Sequence, residues 1–407
     1  MRKMLNTLKK IAFERVGGTD SERKVFDILI DEVRTRGLEP HLEPFEISTF
    51  HRGEGNVVLE SESPLKFAVN PIGLSGNADI TANFRYIEPS NLPLADSCEG
   101  QIIILPERVS FRHYEHLARI GASAFIVVNP PGHKPGFQSL KSNFVDCYGK
   151  IPGAVIGYEA GLKLISNNKH KLHLQCQQEE FLGISHNLLV TIKGQKNDGE
   201  IFVCAHADSV AGSPGAVDNG AGCVEMLGIM GHFAKQPPKR TIHFCFFGSE
   251  ELGLMGSQFY VKKHIDELNK IAIVFNLDVG GDIFGDNKAI ITGDQNLANF
   301  IDSHNKLRGM GLRVTRSIYS SDNMPFARHG IPSVNFVRSG LGASLGHSSD
   351  DDLRNVDERS LRSLAEIALD YIISVANGIA LPFERTIPND IADEVEKYFI
   401  ERFGLEK

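Results

Sequence analysis

The second half of the chain alternates between short, continuous apolar segments and segments with helical periodicity. The apolar segments are rich in β-branched residues; they are LLVTI (188–192), IFVCA (201–205), IHFCFF (242–247), IAIVFNL (271–277), AIIT (289–292) and SVNFV (333–337). Helical segments lie between most of them, at 219–235, 253–268, 295–310 and 321–329. Continuous apolar strands that alternate with helices indicate a mostly parallel central sheet covered by helices on both faces. The sequence therefore predicts an α/β fold.

The first half of the chain has a different spacing of apolar residues. Residues 18–36 have the periodicity of a helix, with Thr19 or Asp20 as the N-cap. Short strands separated by Pro, Gly, Asn and Ser follow; they are predicted at 83–87, 101–105 and 123–128. These features indicate a compact block that is rich in turns and strands.

This change in the spacing of apolar residues divides the 407 residues into three parts. At about 150 residues per domain, a chain of this length suggests two or three domains. We expect one discontinuous α/β domain made of residues 1–60 and 176–380, with a smaller β-rich insertion at 61–175. Residues 381–407 form a tail, in which 388–405 has the apolar spacing of an amphipathic helix.

Composition limits the classes of function and the compartment. The formal net charge is −8, so no basic excess is available to bind nucleic acid. No apolar segment approaches a membrane span, and the N-terminus lacks the apolar core of a signal peptide. The six cysteines are scattered without a CxxC pair, which favours a reducing compartment over a disulfide framework. We therefore expect a cytoplasmic protein without membrane or nucleic-acid partners; a homo-oligomer is left open.

Histidines and acidic residues follow several of the predicted strands. They are His206 and Asp208 after 201–205, Asp218 at the start of the next helix, Glu250 and Glu251 after 242–247, Asp278 after 271–277 and His347 beyond 333–337. Each alone has an ordinary structural interpretation, such as a helix cap or a solvated charge. Ligand sites in α/β sheets lie beyond the carboxyl ends of the strands, however, and five separate segments deliver these residues to one edge. Two imidazoles with several carboxylates predict a site for a pair of divalent metal ions such as zinc.

This set of residues suits a hydrolytic site. Two ions about 3.5–4 Å apart can clamp one water, lower its pKa and polarise a carbonyl. Glu250 and Glu251 are adjacent, so one can bind metal while the other takes the water proton and passes it to a leaving nitrogen. Asp208 either holds the imidazole of His206 in the metal-binding tautomer or caps a turn.

Several motifs around these residues resemble the M28 family of zinc peptidases, which comprises aminopeptidases and relatives of glutamate carboxypeptidase. The motifs are HADS (206–209), PGAVDNGAG (214–222), FGSEELGLMGS (247–257), NLD (276–278) and SDNMPF (321–326). The resemblance covers about residues 10–60 and 180–378 and implies a phosphorylase/hydrolase-like zinc exopeptidase fold. The inserted block is similar to the protease-associated domain that often borders the cleft of these peptidases, through EGQIIIL (99–105), GASAFIVVNPPG (121–132) and IPGAVIGYEAG (151–161).

The resemblance assigns a role to each candidate residue. It implies two Zn²⁺ ions per chain, with Mn²⁺ or Co²⁺ as alternatives, held by His206, Asp218, Glu251, Asp278 and His347. Asp218 would bridge the ions, and His206 and Asp278 would bind different ions. Glu250 matches the general base. The peptide bond between Asp218 and Asn219 is expected to be cis.

One position departs from the family pattern. Many of its aminopeptidases carry a Tyr just before the last His ligand, where it donates a hydrogen bond to the oxyanion. This chain has Gly346 there, so the oxyanion donor is open. Tyr319 is one candidate, and its alternative role is that of a packed aromatic residue.

These observations predict a zinc-dependent aminopeptidase that acts on peptides. A carboxypeptidase or dipeptidase on the same site is the nearest alternative; it would need a cation for the substrate carboxylate, such as Arg338 or Arg328. A receptor-like binding protein without activity and a single-zinc cyclase of the same fold are further alternatives.

Overall fold

The computed structural model describes residues 4–405 and contains two mixed β-sheets, each flanked by helices. The strands are β1 (His41–His51), β2 (Gly55–Glu60), β3 (Leu65–Pro71), β4 (Ala78–Ala82), β5 (Phe84–Tyr86), β6 (Ile102–Leu105), β7 (Ala124–Val128), β8 (Gly153–Ile156), β9 (Lys171–Cys176), β10 (Glu179–Ile192), β11 (Lys196–His206), β12 (Arg240–Phe247), β13 (Ile271–Leu277), β14 (Asp286–Thr292), β15 (Arg313–Arg316) and β16 (Ser333–Ser339). The α-helices are α1 (Met4–Ile11), α2 (Asp20–Arg34), α3 (Phe111–Arg119), α4 (Ser142–Tyr148), α5 (Tyr158–Ile165), α6 (Ala221–Phe233), α7 (Met255–Lys263), α8 (Gln295–Arg308), α9 (Asn323–Arg328), α10 (Glu358–Asn377) and α11 (Asn389–Phe403).

The first sheet has the order β1-β10-β12-β11-β13-β16-β14-β15. Its centre is parallel, because β12, β11, β13 and β16 run in the same direction. Antiparallel pairs flank this centre, since β10 runs against β12 and β14 runs against β16. The α/β prediction is confirmed, with a sheet that is parallel in the middle and mixed overall.

Helices cover both faces of this sheet. On β11, Ile201 and Val203 point into the core formed with α1, α2, α6 and α10, whereas Phe202 and Cys204 point into the core formed with α7 and α9. All four side chains are fully buried. A strand buried on both faces has no position for a polar side chain, which is why the sequence shows a continuous apolar segment here.

The second sheet has the order β4-β9-β2-β3-β8-β7-β6-β5, and it is parallel only from β5 to β8. It starts with β2, slightly before residue 61, and ends with β9. An apolar cluster links it to the rest of the chain, because Ile103 and Phe125 of this sheet share that cluster with Ile47, Phe50 and Leu252.

Helix α11 packs against both parts of the molecule, contacting α9 and α3. Phe399 and Phe403 are buried in a cluster with Leu254 and Met324. The predicted C-terminal helix is therefore docked on the α/β part at the side where the second sheet also approaches. No helix within residues 4–405 combines the length and apolarity needed to cross a membrane.

Candidate metal centre

The predicted site residues meet at the carboxyl edge of the first sheet. They are His206 at the end of β11, Asp218 in the turn before α6, Glu250 and Glu251 after β12, Asp278 after β13 and His347 in the loop after β16. All six line one cavity of about 110 Å³. Because the central strands are parallel, their carboxyl ends converge, and the sequence-based grouping of these residues agrees with their placement.

Asp218 lies between the two histidines. Its Oδ1 atom is 3.1 Å from Nε2 of His206, and its Oδ2 atom is 3.3 Å from Nε2 of His347. Nε2 of His206 is also 3.3 Å from Oδ1 of Asp278, and Nε2 of His347 is 3.2 Å from Oε1 of Glu251. The two oxygens of one carboxylate thus face two different imidazoles, each of which has a further carboxylate beside it.

Three groups of potential metal ligands occur here; two of them share Asp218, and the third comprises His206, Glu250 and Glu251. Subsite A comprises His206, Asp218 and Asp278, and subsite B comprises Asp218, Glu251 and His347; within each, the ligand atoms lie within 4.8 Å of one another. His206 and Asp278 were expected to bind different ions; β11 and β13 are neighbours and bring both residues into subsite A, so this arrangement favours one shared ion instead. Imidazole nitrogens with carboxylate oxygens fit the ligand preference of zinc.

The ionisable groups of the cluster shift one another's pKa values. Burial disfavours the charge of Asp218, yet hydrogen bonds from His206 and His347 hold the pKa of its carboxyl well below the usual range. Burial likewise opposes the charge of His347, but Glu251 and Asp218 raise the pKa of this imidazole to about 10. Burial, opposed by His206 and reinforced by Glu251, raises the pKa of Glu250 well above its usual value. Of these carboxylates, Glu250 is therefore the one whose environment most favours holding a proton.

Asp208 connects two of the ligand-bearing loops. It is fully buried, and its two oxygens accept hydrogen bonds from the backbone N–H groups of Glu250 and Glu251, at 3.0 and 3.1 Å. Its Oδ1 atom also lies 3.4 Å from Nδ1 of His206. Asp208 thus adjoins the imidazole on the side away from Asp218 and Asp278, while holding the backbone of the glutamate pair.

Arg15 is a positioning residue that the sequence did not reveal. Its side chain is fully buried and donates hydrogen bonds to the carbonyl oxygens of Ala207, Pro214 and Gly215, at 2.6, 2.6 and 2.8 Å. It therefore joins the loop after β11 to the turn that carries Asp218. A single arginine near the N-terminus gave no signal of this role.

Asp351 holds the Asp218 turn from the other side. Its carboxylate accepts hydrogen bonds from the backbone N–H groups of Val217 and Asp218, at 2.7 and 3.1 Å. The turn also requires a glycine at Gly215, whose φ is +56° and where a Cβ would lie 2.6 Å from the Asp218 carbonyl oxygen. The peptide bond between Asp218 and Asn219 is cis, as expected. The run of acidic residues after His347 is the sequence feature that could have indicated this role of Asp351.

Left-handed backbone conformations occur beside the candidate ligands. Ser249, Val279 and His347 have φ values of 57°, 66° and 59°. Such conformations cost about 1–3 kcal/mol for residues other than glycine, and they persist only where the surrounding structure fixes them. The packing of this edge therefore determines the direction of the adjacent ligand side chains.

Part of the cavity lining, called the basic wall below, is cationic, which the sequence did not predict. It contains Arg108 and Lys141 from the second-sheet region and Arg402 from α11. Burial, together with the charges of Arg108 and Arg402, lowers the pKa of Lys141 to about 7. Tyr398 of α11 also lines this wall, and its hydroxyl hydrogen-bonds with Ser320 Oγ at 2.8 Å. The cavity thus has an acidic floor and a basic wall.

The remaining predicted residues divide between this cavity and other places. Tyr319 lines the cavity, and burial with the nearby charges of Asp278 and Asp218 raises the pKa of its hydroxyl well above the usual value. Gly346 lines an adjoining cavity of about 400 Å³ that shares Arg108 and His347.

The two arginines considered for a substrate carboxylate are held elsewhere. Arg338 donates to the Asp282 carbonyl and to Asn287. Arg328 pairs with Glu396. Neither lines the site cavity.

Comparison with known proteins agrees with this geometry. Residues 187–372, which contain all six clustered residues, match the model of peptidase family M28. Residues 187–372 are therefore similar to an M28 peptidase domain. The chain is 25% identical over 394 residues to the aminopeptidase YwaD of Bacillus subtilis, covering 89% of this chain and 81% of that protein. It is 24% identical over 371 residues to an aminopeptidase of Pseudomonas aeruginosa, covering 81% of this chain and 68% of that protein.

Solved structures show the same fold along nearly the whole chain. A peptidase M28 precursor from Shewanella amazonensis superposes with a TM-score of 0.81 at 21% identity, covering 95% of this chain and 94% of that one. BSAP, a zinc aminopeptidase from Bacillus subtilis, superposes with a TM-score of 0.75 at 22% identity, covering 96% and 98%. The chain therefore shares its overall fold with these two structures.

Proposed function

We propose that the protein is a zinc-dependent aminopeptidase that removes the N-terminal residue of peptides with the help of two metal ions. The observation that carries this proposal is the position of Asp218, whose two oxygens face His206 and His347 separately. A carboxylate placed in this way is suited to bridge two cations. The aminopeptidases among its relatives support the choice of reaction.

Subsites A and B would each hold one zinc ion. Both offer imidazole nitrogen and carboxylate oxygen, and the four carboxylates that line the cavity need positive charge beside them once they are buried. When bound, such ions lower the pKa of a water and polarise the scissile carbonyl. The fit rests on these donors and on their charge, and Mn²⁺ or Co²⁺ would satisfy the same ligands.

The side chains of this protein would supply the proton transfer and the orientation. Glu250 is not a member of subsites A and B, although it also groups with His206 and Glu251, and it lines the same cavity, where it would take a proton from the attacking water. Glu250 would then deliver this proton to the nitrogen of the departing peptide. The Tyr319 hydroxyl stays protonated and would donate a hydrogen bond to the oxyanion, in the absence of a tyrosine at position 346.

The deciding experiment combines Glu250→Gln with a measurement of bound zinc. Glutamine keeps the size of the side chain but cannot take up the proton, so we expect kcat on a free-amine peptide to fall about 100- to 10,000-fold. Zinc content should stay near two ions per chain, as measured by elemental analysis after dialysis. Glu366→Gln on the exposed face of α10 is the matched control and should leave both quantities unchanged.

Three results would contradict the proposal. Full activity of Glu250→Gln would remove Glu250 from the reaction. One zinc per chain in the active wild-type protein would favour the cyclase-like alternative. Activity on N-acetylated peptides equal to that on free-amine peptides would favour a carboxypeptidase, although Arg328 and Arg338 are engaged elsewhere.

We further propose that residues 61–175 form an inserted module of the protease-associated type that limits access to the site. Arg108 and Lys141 of this region line the site cavity, so substrates would have to pass it. Cytoplasmic location and self-association stay predictions; the former fits the six unbonded cysteines, of which only Cys147 is exposed.

A further inference from the structure

Three cations converge on the site cavity from three separate segments. Arg108 follows β6, Lys141 precedes α4, and Arg402 lies in the last turn of α11. They line the same cavity as the metal-ligand cluster, and its volume is only about 110 Å³. A peptide bound with its scissile bond at the cluster would therefore place a neighbouring group against this wall.

None of the three cations forms an ion pair with a carboxylate of the described residues. Lys141 is only 8% exposed and donates to the backbone carbonyl oxygen of Glu251 at 3.3 Å. Arg402 donates to Ser320 Oγ at 2.7 Å and lies over the ring of Tyr398. Arg108 makes no hydrogen bond within residues 4–405. Cations gathered in this way repel one another and are costly to bury unless an anion joins them.

The carboxylates that line the cavity cannot serve as the anion for these cations once the metal ions are bound. Two divalent ions match the charge of the four lining carboxylates Asp218, Glu250, Glu251 and Asp278. The two arginines of the wall, and Lys141 when it is protonated, then have no carboxylate of the cavity lining left to balance them. This step rests on the proposed function, because it assumes that both subsites are filled.

We propose that the wall formed by Arg108, Lys141 and Arg402 binds a carboxylate of the substrate, so that the enzyme prefers peptides that bring one into this cavity. Guanidinium groups bind carboxylates through paired hydrogen bonds, and the small volume admits a short acidic group. Two substrate groups have this chemistry. One is the side chain of an N-terminal Asp or Glu, and the other is the free α-carboxylate of a dipeptide.

Two matched substrate pairs distinguish these sources. Glutamyl and glutaminyl p-nitroanilides differ only in the side-chain charge, and Ala-Ala and its amide differ only in the α-carboxylate. We expect kcat/KM to be about 10- to 100-fold higher for the charged member of one pair, because a hydrogen bond to a charged group is lost in the neutral member. Arg402→Gln and Arg108→Gln should each reduce this preference. Arg362→Gln, at an exposed ion pair on α10, should keep it.

A binding measurement keeps the test independent of turnover. Calorimetry with zinc-loaded Glu250→Gln protein should give a tighter dissociation constant for the charged member of the same pair, and this difference should shrink when Arg402→Gln is added. Thermal unfolding checks that the variants are folded. Equal kcat/KM and equal affinity within both pairs would overturn the carboxylate pocket while leaving the peptidase intact. Failure to hydrolyse any of the four substrates would instead overturn the proposed function.

Discussion

Asp208 accepts a hydrogen bond from the backbone N–H of Glu250 at 3.0 Å, so the candidate general base is held by a buried carboxylate from the neighbouring strand end. The other oxygen of Asp208 holds the N–H of Glu251 in the same way. Because β11 and β12 are parallel neighbours, one side chain at the end of β11 can fix two residues after β12. The geometry of the site therefore depends on a residue that lies outside both metal subsites.

We expect Asp208→Asn to damage the site without abolishing the fold. An amide nitrogen facing a backbone N–H leaves one donor unsatisfied, which costs about 1.5–3 kcal/mol of unfolding free energy. Zinc affinity should fall about 10- to 100-fold, as is usual when a partner of a metal-ligating histidine is lost. Urea denaturation and zinc titration measure these effects. Asp302→Asn, at a surface ion pair on α8, is the control; equal zinc affinity in the two variants would contradict the role of Asp208.

The second prediction concerns Arg15, which joins two ligand-bearing loops through backbone carbonyl groups. Lysine keeps the charge but has a single nitrogen, so Arg15→Lys cannot reach Ala207, Pro214 and Gly215 together. With buried carbonyl groups left unpaired, we expect the unfolding free energy to fall by at least about 3 kcal/mol. Denaturation curves should show no such loss for Arg34→Lys, at the exposed end of α2. A loss equal to that of Arg34→Lys would show that the link is dispensable.

The sequence predicted the positions of most strands and helices of the α/β part, with errors in their bounds. A short, continuous apolar segment is readily identified as a buried strand, and β13 occupies the predicted residues 271–277. By contrast, the helix predicted at 253–268 is split: α7 begins after Leu254, which has a positive φ, and ends at Lys263 before a 3-10 turn. Local backbone conformations of this kind depend on tertiary packing, which a sequence pattern does not display.

Within the site, too, some features could be predicted from the sequence and others could not. The candidate metal ligands were predictable because each follows a strand, and parallel strands end at one edge. The proximity of His206 to Asp278 could not be predicted, because it depends on the order of strands in the sheet, which differs from their order in the chain. The cationic wall was also hidden, since Arg108, Lys141 and Arg402 meet only when α11 and the second sheet pack against the first.

The third prediction tests the replacement for the missing tyrosine at position 346. Tyr319→Phe removes only a hydroxyl, so substrate binding should persist while stabilisation of the oxyanion is lost. We expect kcat to fall about 100-fold with KM nearly unchanged. Steady-state kinetics on a neutral free-amine substrate measures both. Tyr86→Phe, at an exposed position in β5, is the control. An unchanged kcat in Tyr319→Phe would assign Tyr319 to packing alone.

The last prediction concerns the pH dependence of stability through Glu225, a fully buried residue of α6. Burial, opposed by Arg338, raises the pKa of its carboxyl well above the usual 4.5. As pH rises above about 4.5, the unfolded chain releases this proton while the folded chain retains it, so the unfolded state is favoured and stability falls.

Glu225→Gln removes this titration. As pH rises above about 4.5, its unfolding free energy should therefore decline less steeply than that of the wild type, by up to about 1.4 kcal/mol per pH unit. Urea denaturation at constant zinc measures both slopes, and zinc-linked effects common to both proteins cancel in the comparison. Glu366→Gln, whose carboxylate is on the surface, should keep the wild-type slope. Parallel curves for wild type and Glu225→Gln would mean that Glu225 has the same affinity for protons in the folded and unfolded chains.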